Sequence, residues 1–101
     1  TEAICMAAAE ATFREFGNLY GIRGIRRGAW AVHGDRLERG PHDAAITCGY
    51  GTGQSARATL IIYTAQRAVA GVLARRLIER FDAQNAALAE VWLRERAAGS
   101  R

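Results

Sequence analysis

The sequence predicts a single α+β domain that spans residues 1–101 in the order α-β-β-β-α. Apolar residues recur at helical spacing near both ends of the chain, whereas the middle holds β-branched runs separated by glycine-rich turns. The length suits one domain with one core, and no linker, repeat or low-complexity segment divides it. We therefore expect a three-stranded antiparallel sheet packed by an N-terminal helix and a long C-terminal helix.

Residues 2–17 are predicted to form the first helix. Met6, Phe13 and Phe16 belong to an apolar series whose members are three or four residues apart. Several alanines in this segment raise its helix propensity. The helix is expected to end at Gly17-Asn18.

Three strands are expected in the middle of the chain. Trp30 to Val32 forms the first and is followed by a turn at Gly34-Asp35, and Ala44 to Tyr50 forms the second. Thr59 to Thr64 is a continuous β-branched and aromatic run, which is typical of a buried central strand. The alternative is a helix that begins at Ser55 and continues into the C-terminal helix. The strand is favoured because four consecutive apolar residues would cover every side of a helix.

Residues 66–97 form the longest periodic segment of the chain and predict the C-terminal helix. Gly71 inside this helix costs about 1 kcal/mol relative to alanine, which predicts close approach by another backbone at that point. The stripe that recurs at helical spacing consists of Ala70, Leu73, Ala74, Leu77, Phe81, Gln84, Leu88, Val91 and Trp92.

The length of this helix predicts contacts beyond its own domain. A straight helix over residues 66–97 would span roughly 48 Å, whereas a compact domain of this size has a radius of gyration of about 13 Å. The favoured arrangement packs the overhang on a partner, most simply a second copy of the chain. In the alternative, the helix bends at residues 82–85, where Asp82 caps a second helix that folds back onto the core.

Phe81, Leu88, Trp92 and Leu93 are the candidate partner interface, because large aromatic and aliphatic side chains anchor protein interfaces. The alternative is that these residues complete the domain's own core. Leu93 lies off the main stripe, so it is expected to be at least partly exposed in either arrangement.

Composition limits the classes of partner. All fourteen basic residues are arginine, and the net charge of +4 is compatible with an anionic partner without requiring one. No apolar run is long enough to cross a membrane and no signal peptide is recognised, so we expect a cytoplasmic protein without a membrane partner.

Cys5 and Cys48 lack a metal-binding spacing and are expected to be reduced thiols. A single disulfide between them is the alternative for an exported protein.

Residues 21–40 are rich in glycine and arginine and carry most of the net charge. Arginine can bind phosphate through two hydrogen bonds, and a tryptophan ring offers a face on which a base can stack. This segment predicts a nucleic-acid or anion contact formed by Arg23, Arg26, Arg27, Trp30, Arg36 and Arg39. The alternative is a solvated face whose arginines pair with Asp35, Glu38 or the acidic first helix.

The α-β-β-β-α order, Gly40-Pro41-His42 and Gly51-Thr52-Gly53-Gln54-Ser55 together resemble the double-stranded-RNA-binding domains. The resemblance implies RNA binding by the arginine-rich segment. The sequence departs from that family in two respects: the hairpin between the two glycine segments is shorter, and the basic cluster expected after Ser55 is only Ala56-Arg57-Ala58.

Two groups of residues could support chemistry, and neither has a diagnostic pattern. Gly51-x-Gly53-x-x-Ala56 matches a dinucleotide fingerprint, but no βαβ unit surrounds it, so a glycine hairpin turn is expected. Two histidines are expected in turns and one cysteine in the core. The second group consists of the titratable residues His33, Asp35, His42, Asp43 and Cys48. Their spacing is typical of neither a metal site nor a Cys-His-Asp arrangement.

The sequence therefore predicts a non-enzymatic protein-interaction module, with no cofactor and no metal. The first hypothesis is a homodimeric accessory or inhibitory protein that acts by binding another macromolecule, as small phage proteins often do. The second hypothesis is a nucleic-acid-binding module that uses residues 23–39.

Overall fold

The computed structural model describes residues 2–50 and 56–99. Two helices lie at the ends of the chain, α1 (Glu2–Tyr20) and α2 (Arg67–Gly99), and the predicted α+β class is confirmed. A short 3₁₀ turn at Leu37–Arg39 connects the second and third strands. The four strands are β1 (Gly24–Arg27), β2 (Ala31–Asp35), β3 (His42–Tyr50) and β4 (Ala56–Thr64).

The sheet is antiparallel with the strand order β1-β2-β3-β4, so the prediction of three strands was one strand short. β1 escaped prediction because Ile25 is its only apolar residue, which leaves no apolar alternation to recognise. A tight turn joins β1 to β2 and is closed by a hydrogen bond from Gly28 N to Ala31 O at 2.8 Å.

β2 continues through Gly34 and Asp35, where the sequence predicted a turn. Gly34 is buried, and a β-carbon added to it would lie only 2.5 Å from a ring carbon of Phe13. Glycine at this position therefore permits close helix–sheet packing instead of a change in chain direction.

β4 lies at the edge of the sheet, whereas the sequence predicted a buried central strand. Ile61 and Tyr63 on its outer face are exposed, and Leu60 and Ile62 on its inner face are only half-buried. β-branched and aromatic residues suit edge and central strands alike, so composition did not distinguish the two positions.

Both helices cover one face of the sheet, and the other face is open. Side chains alternate between the faces along each strand, and the even-numbered residues of β2, β3 and β4 point toward the helices. The core that results joins both helices, the sheet and the 3₁₀ turn. It consists of Cys5, Met6, Ala9, Phe13, Phe16, Val32, Leu37, Ala44, Ile46, Cys48, Leu73 and Leu77.

α1 passes through Gly17-Asn18, the predicted terminator, and ends at Tyr20. The helix ends there because the next residue, Gly21, adopts a φ of 92° while its N–H bonds to Gly17 O at 2.9 Å. A glycine therefore ends the helix, as predicted, but it is Gly21 and not Gly17.

α1 and α2 pack side by side in opposite directions. Arg80 donates a hydrogen bond to the Tyr20 hydroxyl at 3.1 Å, and Gln84 donates one to Glu15 at 2.9 Å. Residues nearer the end of α2 therefore contact residues nearer the start of α1.

α2 is one continuous helix of 33 residues, so the bend considered at residues 82–85 is not observed. Its length of roughly 50 Å accounts for the longest dimension of the molecule, 52 Å. Leu77 is its last fully buried side chain among the described residues. A β-carbon on Gly71 would find nothing within 4 Å, so the close backbone approach expected there is not made within the chain.

Cys5 on α1 and Cys48 on β3 form a disulfide, with α-carbons 5.9 Å apart. The expectation of two reduced thiols was wrong, because the fold brings buried positions 43 residues apart in sequence into direct contact. The bond attaches the first turns of α1 to the centre of the sheet.

No helix in the part of the chain that the structure describes is both long enough and apolar enough to cross a membrane.

Replacing both cysteines with alanine should lower the free energy of unfolding by about 4 kcal/mol, because the disulfide closes a loop of 43 residues and restricts the unfolded chain. Urea unfolding followed by circular dichroism measures this effect. The unsubstituted protein under reducing conditions is the control and should lose most of the same stability. Equal unfolding midpoints with and without reductant would contradict the expected role of the bond.

Gly34→Ala should lower the free energy of unfolding by about 1–3 kcal/mol, because the added β-carbon overlaps the fully buried Phe13 ring. Gly24→Ala is the matched control on the open face of β1. Its β-carbon meets nothing within 4 Å, so its effect should stay within about 0.5 kcal/mol. Similar unfolding midpoints for the two variants would show that the helix–sheet spacing adjusts more freely than the structure indicates.

Candidate functional site

An apolar cleft opens between β4 and α2 along the edge of the sheet. Its volume is about 220 Å³, and we call it the β4–α2 cleft. Ile78 on its rim is 48% exposed, although it is a large aliphatic side chain. The residues that line the cleft are Ile46, Ala58, Leu60, Leu77, Ile78, Phe81 and Asp82.

The distal turns of α2, residues 82–97, carry further apolar side chains beyond the cleft. Leu88 and Trp92 are half-buried, whereas Val91 is exposed and Leu93 is 58% exposed. The prediction that Leu93 is at least partly exposed is confirmed. The guanidinium of Arg96 lies 5.0 Å from the Trp92 ring, so part of that ring is covered by a polar group of its own helix.

The four predicted interface residues therefore lie along one helix but in different surroundings. Phe81 packs partly against the core and lines the β4–α2 cleft. Leu88, Trp92 and Leu93 belong to the distal turns, which contribute no fully buried side chain among the described residues. Helical periodicity predicted that these residues lie on one helix, but it could not show that β4 lies beside Phe81.

Tyr20 holds the end of α1 against α2 through a contact that the sequence did not indicate. The guanidinium carbons of Arg76 and Arg80 lie 4.4 and 5.1 Å from the centre of the Tyr20 ring. Arg76 also forms a salt bridge with Glu38 of the 3₁₀ turn. These two arginines are therefore engaged within the fold, although helical periodicity placed Arg76 on the polar side of α2.

The residues predicted to form a nucleic-acid contact do not form one surface. Strand alternation and the length of β2 separate them into four places. Arg27 points toward α1, Arg26 lies on the open face of the sheet, and Trp30 lies at the opposite end of β2 from Arg36. Arg36 lies six residues after Trp30 along the extended strand, which corresponds to roughly 20 Å.

Arg23, Arg36 and Arg39 do come together, around a shallow pocket next to Ile22. None of these three side chains forms a salt bridge with any residue in 2–50 or 56–99. We call these three residues the arginine cluster. They bring three positive charges together at one end of the sheet.

An unusual backbone in the β2–β3 connection presents two members of this cluster. Arg36, Glu38 and Arg39 have φ values of 52°, 57° and 59°, in the left-handed region that non-glycine residues rarely adopt. Leu37 is fully buried between them, and Glu38 N donates a hydrogen bond to Gly21 O at 2.9 Å. These contacts hold the strained turn in place.

Arg26 and Arg27 are paired with acids, as the solvated-face alternative predicted. Arg26 donates two hydrogen bonds to Asp35, at 2.9 and 3.1 Å, and Arg27 donates one to Glu10 of α1 at 2.8 Å. The hydrogen bonds from Arg26 hold the pKa of Asp35 below its ordinary value, and the same pair raises the pKa of Arg26.

Trp30 is 70% exposed and lies in a groove at the other end of the open face. Arg57, Thr47 and Thr59 line the same groove, together with Glu2. Trp30 could therefore stack on a flat ligand only in combination with Arg57, which the sequence analysis did not select.

The titratable residues considered for metal binding or catalysis are dispersed. His42 is buried and its Nδ1 lies 2.7 Å from the Thr64 hydroxyl, whereas His33 is on the open face of the sheet. Both lie in strands, not in the predicted turns. Cys48 is in the core, as predicted, but in a disulfide. The described residues contain no group of three or more histidines, cysteines or acids that could hold a metal ion.

The glycine turn predicted at residues 51–54 lies outside the described residues, and so does most of the dinucleotide-like motif. The four-stranded order also differs from the three-stranded order on which the resemblance to double-stranded-RNA-binding domains depended.

Comparison with known proteins shows no matching family model, no matching curated protein and no matching solved structure.

Proposed function

We propose that this chain is a non-enzymatic protein-interaction module that associates with a second copy of itself and binds another macromolecule as an accessory or inhibitory protein. The observation that carries the proposal is the series of incompletely buried apolar side chains along α2, from Ile78 and Phe81 in the β4–α2 cleft to Trp92 and Leu93 in the distal turns. Aromatic and aliphatic side chains in this arrangement are typical anchors of protein interfaces.

The length of α2 supports the same proposal. Helices in globular proteins are stabilised chiefly by burial of an apolar face, and the distal turns bury no side chain completely within the described residues. Leu88 and Trp92 make partial contacts with their own chain, and Val91 and Leu93 make fewer. A partner surface would provide the burial that the chain itself does not.

Trp92→Ala combined with Leu93→Ser should weaken self-association at least about tenfold, because truncation of an interface tryptophan typically costs more than 1.4 kcal/mol. Size exclusion with light scattering over a range of micromolar concentrations measures the change in assembly. Neither side chain is fully buried, so the thermal midpoint of the variant should change little.

Trp30→Ala is the matched control for this test, since it removes a tryptophan ring that is 70% exposed and lies outside α2. It should leave assembly unchanged. A protein that is monomeric at every concentration, or an unchanged dissociation constant in the double variant, would overturn the role proposed for α2.

A second candidate function, binding of nucleic acid, is favoured by the arginine cluster. Arg23, Arg36 and Arg39 have no salt-bridge partner among the described residues, and arginine pairs well with phosphate. The contact proposed here therefore consists of these three side chains instead of the whole of residues 23–39.

Arg36→Ala combined with Arg39→Ala should weaken binding to duplex RNA and reduce the slope of log affinity against log salt by about two. Arg26→Ala combined with Arg27→Ala removes the same charge from arginines already paired with Asp35 and Glu10, and it should have a smaller effect. Fluorescence anisotropy at several salt concentrations measures both variants. Equal losses from the two variants, or binding that does not depend on salt, would exclude a contact at the arginine cluster.

The state of the cysteines bears on the compartment in which this chain works. Disulfides persist in oxidising compartments, so the bond between Cys5 and Cys48 favours such a compartment over the cytoplasmic location that the sequence predicts. Alkylation of protein taken directly from cells distinguishes the two, because only a reduced protein would be labelled at both cysteines.

A further inference from the structure

β4 presents an unpaired edge, and the hydrogen bonds of the sheet show which of its groups face outward. Cys48 N donates to Trp30 O at 2.7 Å, so the even-numbered residues of β3 bond to β2 and the odd-numbered residues face β4. The register pairs Thr47 with Thr59, so the odd-numbered residues of β4 bond to β3. The Thr47 hydroxyl reaches Thr59 O at 3.5 Å, in agreement with this assignment.

The even-numbered residues of β4 therefore direct their N–H and C=O groups to the open edge. Ala58, Leu60 and Ile62 are among them, and β4 contains no proline. Natural edge strands are usually interrupted by proline, a bulge or an inward-pointing charge, whereas β4 keeps an unbroken register with β3 over nine residues. An edge of this regularity is a template for one more strand.

We propose that the strand added to this edge is β4 of a second copy of the chain, so that two sheets join into one continuous antiparallel sheet. This inference rests on the self-association proposed above, but it places the contact at β4 and the middle of α2 instead of the distal turns. A two-fold axis at Leu60 would pair this residue with its counterpart, and Leu60 is the midpoint of β4. The two strands then pair over their full length, and the contact closes at two copies.

Side chains on the open face of β4 complement each other in this register. Residues whose numbers sum to 120 lie opposite each other across the axis. Arg57 therefore faces Tyr63 of the second copy, and both side chains are exposed in the single chain. An arginine against a tyrosine ring is a favourable cation–π pair, and it forms twice in the dimer.

α2 carries complementary charges next to the same axis. Ile78 lines the cleft with Leu60, so the axis through Leu60 brings the two Ile78 side chains toward each other. With the two α2 helices antiparallel about Ile78, Arg75 of one copy faces Asp82 of the other, and this pair also forms twice. Neither residue forms a salt bridge with any described residue of its own chain.

Gly71 fits this arrangement as well. It lies two turns before Ile78 on the same face of α2, and the space beside it is open. A glycine inside an exposed helix weakens that helix unless the close approach of another chain requires it. The second α2 helix provides such an approach, which no element among the described residues does.

Ala58→Pro tests the strand pairing directly. Proline removes a single N–H, and at residue 58 that N–H faces the open edge, so the bonds between β3 and β4 remain. Ala58→Ser is the matched control, because it keeps the N–H and a small side chain. Analytical ultracentrifugation should show that Ala58→Pro raises the dimer dissociation constant about tenfold or more, while Ala58→Ser leaves it unchanged. Circular dichroism should show the same fold in both variants.

A charge exchange tests the register and guards against a misfolded proline variant. Arg75→Asp and Asp82→Arg should each weaken the dimer, because each places like charges against one another across the axis. The variant with both substitutions should regain most of the lost affinity, since it restores both pairs with reversed polarity. Failure of the double variant to recover would overturn the antiparallel pairing of α2 about Ile78.

The outcomes separate this inference from the proposed function. A dimer that is weakened by Trp92→Ala with Leu93→Ser but not by Ala58→Pro would associate through the distal turns of α2, which overturns strand pairing and keeps the interaction module. A dimer that is weakened by Ala58→Pro but not by the Trp92 and Leu93 substitutions would support strand pairing and overturn the role proposed for the distal turns. A protein that stays monomeric would overturn both forms of self-association, leaving the β4 edge open to a strand of a different protein. Assemblies that grow beyond two copies would exclude the closed two-fold contact.

Discussion

Burial of α1 against the sheet and α2 is the contact on which the rest of the fold depends. Phe13 fills the space above Gly34, and Phe16 joins the same core. Cys5 is bonded to Cys48 of the inner strand β3, and two arginines of α2 lie over the Tyr20 ring. A sheet of four short strands is too small to bury its face without such a cover. Each end of α1 is therefore attached to a different part of the molecule.

This arrangement also explains where apolar surface remains. α1 contacts all four strands, whereas α2 covers chiefly β4 and runs on beyond the sheet. The inner face of β4 is consequently half-buried, and the cleft beside Ile78 stays open. Large exposed apolar surfaces are unfavourable in a monomer, and their usual explanation is contact with another molecule. Leu60 of β4 and Phe81 of α2 line one cleft for this reason, although they are 21 residues apart in the sequence.

The arginine-rich segment shows how strand geometry alters an interpretation based on composition. Consecutive residues of a strand point to opposite faces, so Arg26 and Arg27 reach different acids on different sides of the sheet. Only the arginines of this segment outside the strands, Arg23, Arg36 and Arg39, are brought together, and none of them forms a salt bridge with a described residue. Their positions depend on the left-handed turn around the buried Leu37, which has no clear signature in the sequence.

Local periodicity was enough to predict both helices, three of the four strands and the exposure of Leu93, because side-chain spacing within an element depends only on neighbouring residues. It identified the apolar stripe of α2 on the same basis. The tertiary structure alone decided that Gly24–Arg27 is a strand, that β4 lies at the edge and that Cys5 meets Cys48. It also placed β4 beside α2 and separated Trp30 from the arginine cluster. These features depend on pairing between residues far apart in the chain, and the energy of such pairing is decided by packing and register, which composition and local spacing do not encode.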